Sequence, residues 1–189
     1  MSTGTMVLLA LLLLLAALFL FGVAIYNSLV SLRNGIRNAW SQIDVQLKRR
    51  HDLIPNLVET TKGYAAHEKG TFDAVTQARA KAAGARSLPE ISKAESELTG
   101  VLSRFMAVME NYPELKANQN FLALQEELSS TENRIAFARQ AYNDAVLFLN
   151  NKIEMFPSSI IANMFTFRKE AFFEMEDVSQ RAVPKVSFS

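Results

Sequence analysis

The chain begins with a long run of apolar positions. The 20 residues from Met6 to Ile25 contain no charged and no strongly polar side chain. At about 1.5 Å per helical residue, such a run spans the roughly 30 Å hydrocarbon core of a lipid bilayer. The pattern predicts a short tail at residues 1–5 and a transmembrane helix at residues 6–25. No second run approaches this length, so we expect a single crossing and a lipid bilayer as partner.

A cleaved signal peptide is the alternative interpretation of this run. Signal peptides begin with basic residues and end at a small-residue cleavage site. Residues 1–5 hold no Lys or Arg, and Phe21–Ile25 is a poor cleavage site, so we expect a retained anchor. Arg33 and Arg37 follow the run closely and no basic residue precedes it. This asymmetry predicts an N-terminus outside and a body in the cytoplasm.

Beyond the apolar run, hydrophobic residues recur at spacings of three and four with polar residues between them. This spacing predicts an amphipathic helix that continues out of the membrane. Pro55 has no N–H to donate and crowds the carbonyl of His51, so we expect a kink there. The spacing resumes after the proline, which predicts one kinked helix as far as about Lys81. The apolar stripe comprises Leu29, Leu32, Ile36, Trp40, Ile43, Leu47, Ile54, Val58, Thr61, Ala65, Phe72, Val75 and Ala82.

Two further helices follow from the same spacing. Ser87 and Glu90 form a capping-box pattern, which predicts that the second helix starts there. It ends before Pro113, because proline disfavours helical conformation in the residue that precedes it. A third helix of more than 30 residues is predicted by apolar positions from Phe121 to Ile153.

The residues after Pro157 are predicted in less detail. Residues 158–164 favour a short helix capped by Ser158. Phenylalanines alternate with charged residues over 165–176, a pattern that favours a cap on the helical body, with contact to the membrane interface as the alternative. Residues 184–188 indicate an extended tail.

No segment combines strand alternation with hairpin turns, so the predicted fold class is all-α. We expect a single N-terminal transmembrane helix that continues into an antiparallel bundle of long helices, with the bundle domain at residues 26–189. The 20 basic and 19 acidic residues give a net charge of +1. This near neutrality argues against nucleic acid as a partner, and the absence of cysteine suits a reducing compartment.

The sequence offers little for catalysis. His67 and Glu68 would begin a zinc-hydrolase motif, but Thr71 stands where the second histidine is needed. Two histidines and no cysteine are too few for a typical transition-metal site. There is no nucleophile elbow and no phosphate-binding glycine loop. We therefore expect no catalytic residues, no metal site, no cofactor and no enzymatic activity.

Glu68 falls on the apolar stripe, where a carboxylate is costly to bury without a partner. One hypothesis is a buried ion pair with Arg104, Arg134 or Arg139 that fixes the register of the bundle. The alternative is that Glu68 lies in water at the edge of the stripe. Residues 48–50 are all basic and are interpreted as solvated charges or partner contacts. His51 and His67 are interpreted as partly exposed helix residues.

Several motifs closely resemble those of the LemA family, and the similarity covers nearly the whole chain. It includes residues 39–58 and 62–68, together with Gln77-Ala78-Arg79. The motif positions are Tyr26, Asn27, Trp40, Asp44, Arg49, Arg50, Asp52, Leu53, Ile54, Pro55, Asn56, Leu57, His67, Glu68, Tyr142, Asn143, Phe156 and Pro157. The chain departs from the family pattern at Leu149-Asn150, where a Tyr-Asn pair is common, and at Phe165-Thr166-Phe167, where a glycine usually separates the aromatics.

The resemblance implies a membrane-anchored helical bundle from a family without an established enzymatic activity. Some members take part in the organisation of bacterial organelle or envelope membranes. We therefore expect a self-associating scaffold or adaptor in the bacterial inner membrane; small residues such as Ala16, Ala17, Gly22 and Ala24 would allow close helix approach. A signalling or sensory subunit that relays a change through Pro55 to a cytoplasmic partner is the alternative. A small-molecule carrier is a third class.

Overall fold

The computed structural model describes residues 2–174, and this part of the chain contains helices but no strand. The all-α prediction is therefore confirmed for the described residues. The extended tail predicted at residues 184–188 lies outside them. The helices are α1 (Thr3–Lys62), α2 (Lys69–Gly84), α3 (Leu88–Met109), α4 (Pro113–Lys116), α5 (Gln119–Glu154) and α6 (Ser158–Met164).

The N-terminal part of α1 is a candidate membrane span by length and composition. Only 6% of its most apolar window is buried within the chain. Exposed fractions of the large apolar side chains between Met6 and Val23 run from 40% to 71%. The core helix of a water-soluble protein would be covered by its neighbours, whereas a helix that is apolar on all sides and exposed fits a lipid surrounding.

α1 ends at Lys62 and not near Lys81, so the prediction of one helix through this region is wrong. The chain leaves the helix at Gly63, whose flexible backbone disfavours the helical state, and the carbonyl of Thr61 accepts turn hydrogen bonds from the N–H groups of Tyr64 and Ala65 at 3.0 and 3.1 Å. A new helix, α2, begins at Lys69. α1 passes through Pro55 unbroken; the kink itself stays a prediction.

The chain divides into two compact units that share α1 and α5. Among the described residues, unit 1 comprises residues 2–41 and 140–172, and unit 2 comprises residues 42–139 and 173–174. Each unit therefore takes one part of both long helices. The prediction of a bundle domain from residue 26 to 189 remains a prediction.

Unit 2 contains a continuous hydrophobic core built by residues of α1 to α5. α2 and α3 pack on each other across a short connection. The predicted capping box at the start of α3 is confirmed, because the Ser87 hydroxyl accepts from the Glu90 N–H and the Glu90 carboxylate accepts from the Ser87 N–H. α4, which the sequence analysis did not predict, places Leu115 in the core. The most buried core side chains are Ile54, Leu57, Val75, Leu98, Phe105, Met109 and Leu115.

Unit 1 comprises the first part of α1, the last part of α5, α6 and the segment that follows it. Its buried positions keep the three-and-four spacing, with Ile25, Leu29 and Ile36 in α1 and Tyr142, Val146, Leu149 and Ile153 in α5. The short helix predicted over 158–164 is confirmed as α6. Its predicted cap is wrong: the Ser158 hydroxyl donates to the carbonyls of Lys152 and Met155, and the N-cap residue is Pro157.

Candidate functional site

The densest polar constellation in the described residues lies inside unit 2, around Arg50. Two charged side chains among residues 2–174 are buried, Arg50 with 2% exposure and Glu95 with 5%. A terminal guanidinium nitrogen of Arg50 (Nη2) donates to Glu95. The other (Nη1) donates to the Thr99 hydroxyl at 3.0 Å and to Glu132 at 3.2 Å. One residue of α1 thereby joins α3 and α5.

Glu95 accepts from a second residue of α1. Its Oε1 lies 2.8 Å from Nε2 of His51. Burial of Glu95 opposes its ionisation, but the hydrogen bond with His51 and the charge of Arg50 outweigh that cost, so the pKa of Glu95 lies below its ordinary value. The carboxylate is therefore held in its charged form, with a partner on each oxygen.

Pro55 leaves one backbone carbonyl of α1 without its helical donor, and a side chain of α2 donates to that carbonyl instead. In a regular helix the carbonyl of His51 would accept from the N–H of residue 55, which proline lacks. Nε of Arg79, in α2, donates to this carbonyl at 2.6 Å. A buried carbonyl without a donor is destabilising, so Arg79 substitutes for the missing N–H.

The charges of this cluster also act on the pKa of Arg139, which lies on α5. Burial, and next the positive charge of Arg50, lower the pKa of Arg139, while Glu132 and Glu95 act in the opposite direction. Its guanidinium carbon lies 5.8 Å from the ring centroid of Phe173, a cation–π distance. Arg139 was one of three arginines proposed as a partner of Glu68; the structure places it near the Arg50 cluster and Phe173.

The interpretation of residues 48–50 as solvated charges or partner contacts is wrong for Arg50, which is buried. Its neighbour Arg49 is 44% exposed and pairs with Glu127 at 2.5 Å. The two arginines are adjacent in sequence, but one helical step turns them to different sides of α1. They provide a matched pair for experiment.

Glu68 is half-buried, and its observed partners are hydroxyl groups. Tyr112 donates to Oε1 at 3.1 Å, and Thr71 donates to Oε2 at 3.3 Å. The ion pairs of the described residues include none with Arg104, Arg134 or Arg139 at this carboxylate. The buried pair that the sequence analysis sought at Glu68 is found at Arg50 and Glu95. Partial burial of Tyr112, and then its bond to Glu68, raise the pKa of Tyr112.

Other motif positions lie in unit 1. The Tyr26 ring centroid is 4.7 Å from that of Phe165. Trp40 meets Tyr142 edge-on at 5.8 Å, and the Tyr142 hydroxyl donates to the carbonyl of Ala171. Burial, and next the charge of Glu170, raise the pKa of Tyr142. Phe156 is 82% exposed.

The remaining motif positions separate into core and surface. Ile54 and Leu57 are buried in the core of unit 2. Leu53, Asn143 and Pro157 are half-buried. The exposed ones are Asn27, Asp44, Asp52, Pro55, Asn56 and His67.

The cluster joins α1, α3 and α5, and its charged groups are bonded to one another. Its two buried charges bind each other, and the second carboxylate and His51 bind the same pair. Among residues 2–174, no group of three His, Cys, Asp or Glu side chains is placed to hold a metal ion. Glu95, Thr99 and Glu132 were missed by sequence reasoning. The available signal was spacing: Glu95 lies four residues after Ile91 and three before Leu98, on the stripe of α3.

These observations define a class: an all-helical protein with one candidate membrane span and a buried ion cluster that joins its helices. The chain belongs to the LemA family, whose model matches residues 39–188. The resemblance described above is thereby confirmed. The matched range begins beyond the candidate span and contains the whole Arg50 cluster.

Three relatives illustrate the range of the similarity. Protein LemA of Metamycoplasma hominis is 27% identical over 156 residues, which are 82% of this chain and 71% of that protein. Magnetosome protein MamQ 2 of Paramagnetospirillum magneticum is 25% identical over 79% of this chain, and Magnetosome protein MamQ of Magnetospirillum gryphiswaldense is 24% identical over 78%. The matches span 64% of each of these magnetosome proteins, less than two thirds of their length.

Proposed function

We propose that this protein is a scaffold or adaptor anchored in the bacterial inner membrane by residues 6–25, with a self-associating antiparallel helical bundle in the cytoplasm. It acts through contacts and not through catalysis. Its partners are the lipid bilayer, further copies of the chain and other membrane or cytoplasmic proteins.

The continuity of α1 carries this proposal. A single helix runs from Thr3 through the exposed apolar run to Lys62, and Ile54 and Leu57 in its last part lie in the core of unit 2. A transmembrane segment joined to a body by a flexible linker would leave the body free to reorient. A continuous helix fixes the orientation of the helical segment that leaves the membrane, which is what a repeated assembly on a membrane requires.

The polar cluster supports a structural role. A catalytic group needs access to a substrate, but Arg50 and Glu95 are buried and bonded to each other. The relatives named as magnetosome proteins also favour an organising role for this chain. Arg33 and Arg37 follow the apolar run closely, whereas residues 1–5 hold no Lys or Arg, which favours the cytoplasmic orientation of the body.

Small residues in the apolar run support self-association. Ala17 and Ala24 are seven residues apart, hence on one helix face, and both are exposed. Small side chains allow the backbones of neighbouring transmembrane helices to approach closely. Gly22, by contrast, already lies beside Ile161 within the chain.

Single-particle imaging of the full-length protein, extracted with its native lipids, tests this proposal. We expect a closed assembly of many copies with one transmembrane helix per copy. A variant with Ala17→Leu and Ala24→Leu should form smaller assemblies, whereas the control Leu15→Ala, at an exposed apolar position on the opposite helix face, should not. Isolated monomers at every concentration, with no crosslinks in cells, would contradict the scaffold.

A further inference from the structure

We propose that residues 155–167, which contain α6, form a second membrane contact that inserts at the boundary between lipid headgroups and acyl chains. The contact lies beside the cytoplasmic end of the candidate span. This inference rests on the proposed anchor, because its depth is set by packing against α1. It reverses the expectation that the C-terminal aromatic segment caps the helical body.

The composition of this segment is the first observation. The 13 residues from Met155 to Phe167 contain no charge, although charged residues lie directly on both sides. A soluble surface rarely presents so many large apolar side chains together. The exposed ones are Met155 at 61%, Phe156 at 82%, Ile160 at 53%, Met164 at 67% and Phe165 at 52%.

Contact with α1 sets the depth of α6. A Cβ atom on Gly22 would lie 3.7 Å from Cδ1 of Ile161, an ordinary packing distance. Gly22 is three residues before Ile25, so it lies about 4.5 Å inside the end of the apolar run. Amphipathic helices of membrane interfaces bury their apolar face about 5–10 Å into the boundary region. The Gly22 contact therefore places α6 close to the shallow limit of that range, near the end of the apolar run, whenever residues 6–25 span the bilayer.

Aromatic side chains after α6 pack on Tyr26, the residue of α1 that directly follows the apolar run. The Tyr26 ring lies 4.7 Å from Phe165 and 5.9 Å from Phe167, measured between centroids. The guanidinium carbon of Arg33 is 5.2 Å from the centroid of Phe167. Arg33 lies about 12 Å beyond Ile25 along α1, near the headgroups. Tyrosine and arginine, with an apolar body and a polar end, favour this level of a membrane.

Exposed basic side chains follow the uncharged segment or lie on α1 and favour anionic lipid, although the acidic Glu154 directly precedes the segment. Arg168 follows it directly and is exposed, as is Arg37 on α1. Lys169 is also exposed but pairs with Glu154. Each cation near a membrane surface that contains anionic lipid adds attraction. Lipid is therefore the occupant that both the apolar side chains and the charges fit.

Spin labels at single cysteines test this proposal, because the chain contains no cysteine. Ile160→Cys and Met164→Cys report on the proposed contact. Leu13→Cys, within the run, is the lipid reference. Val45→Cys is the aqueous reference: Val45 is an exposed apolar residue of α1, about 30 Å beyond Ile25. Full-length protein is reconstituted in vesicles of phosphatidylethanolamine and phosphatidylglycerol, and relaxation by oxygen and by a water-soluble nickel chelate gives the depth of each label.

We expect labels at positions 160 and 164 about 5–10 Å below the phosphate level, with Leu13 deeper and Val45 in water. Water-like values at 160 and 164 with a lipid-like value at 13 would overturn this inference and leave the anchor intact. A water-like value at 13 would overturn the anchor itself. Shielding of 160 from both reagents, with dipolar broadening that disappears on dilution with unlabelled protein, would assign the surface to a second copy and overturn the lipid contact.

Discussion

The two units of this protein depart from the usual distribution of polar and apolar groups in opposite ways. Unit 2 buries charge: Arg50 and Glu95 are 2% and 5% exposed. Unit 1 exposes apolar surface, with Phe156 at 82% and the candidate span open along its length. A buried charge requires partners inside the protein, whereas an exposed apolar surface requires a partner outside it. The comparison separates what holds the fold together from what connects it to its surroundings.

In unit 2, most hydrogen-bonding positions of the two buried charges have partners. Removing two ions from water is costly, and their attraction compensates only when the remaining hydrogen-bonding positions are also filled. Glu95 has a partner on each oxygen, and Arg50 contacts three side chains through Nη1 and Nη2, but its buried Nε has no hydrogen-bond partner among the described residues. Such a pair is poor evidence of high stability, but it joins α1, α3 and α5 through a single residue.

The largest expected effect is at Arg50. Arg50→Met leaves Glu95 buried without its main partner, and breaking a buried pair in this way costs about 3–5 kcal/mol. Arg49→Met is the matched control, since its pair with Glu127 is partly exposed and should contribute under about 1 kcal/mol. Chemical unfolding of the detergent-solubilised protein measures both. Equal, small losses would mean that the cluster is accessible to water and that the contrast between the units is wrong.

A smaller effect is expected at Arg79. Arg79→Met leaves the carbonyl of His51 without its donor, which should cost about 1–3 kcal/mol. Pro55→Ala restores the N–H of residue 55, so Arg79→Met should cost less in that background. The measurement is a double-mutant cycle on the free energy of unfolding, with the exposed Arg86→Met as control. Additive effects of the two changes would show that Arg79 does not compensate for the proline.

The pH dependence of unfolding reports on Glu95. Because its folded-state pKa is below the ordinary value of 4.5, ionised Glu95 stabilises the fold fully above about pH 4.5. This stabilisation is lost as the pH falls from there through the folded-state pKa. Unfolding free energies measured from neutral pH downwards should fall less steeply for Glu95→Gln than for the unmodified chain. Parallel curves for the two proteins would contradict this assignment.

The helices were predictable from spacing, and the error at α1 has a physical reason. α3 begins directly after its predicted cap Ser87 and ends at Met109, three residues before the limit that Pro113 set, and α5 begins and ends within two residues of its predicted limits. Val58, Ala65 and Phe72 keep the helical period across the break at residues 63–68 because all three pack in the same core. Periodicity records which residues face a core and does not record whether the backbone between them is helical.

The sequence indicated that a buried ion pair could join the helices, but not which residues would form it. Spacing drew attention to Glu68 because it falls on an apolar stripe. The same test applies to Arg50, between Leu47 and Ile54, and to Glu95 on α3. Spacing along one helix cannot tell which charged residue faces a complementary charge on another helix. That depends on packing between helices, which placed Glu95 beside Arg50 and Tyr112 beside Glu68.

Glu68→Gln should therefore have a small effect on stability. The carboxylate is half-buried and accepts from two hydroxyl groups, and the glutamine oxygen can still accept one of these bonds. We expect a loss under about 0.5 kcal/mol, as is typical of surface changes. The pKa of Tyr112 should move down towards its ordinary value, which spectrophotometric titration against Tyr112→Phe can isolate. A loss of several kcal/mol would restore the buried-pair hypothesis.

The smallest effect on folding is expected in unit 1, at Phe156. Because its side chain is 82% exposed, Phe156→Ala in detergent should change the free energy of unfolding by less than about 0.5 kcal/mol. The control is Phe105→Ala in unit 2, where a fully buried ring should cost about 3–5 kcal/mol. Both changes remove the same atoms, so their difference measures burial alone. A cost at Phe156 that approaches the cost at Phe105, and that rises with protein concentration, would mean that another copy covers this surface. The exposed face of unit 1 would then be an interior of the assembly, and the contrast with unit 2 would hold only for the single chain.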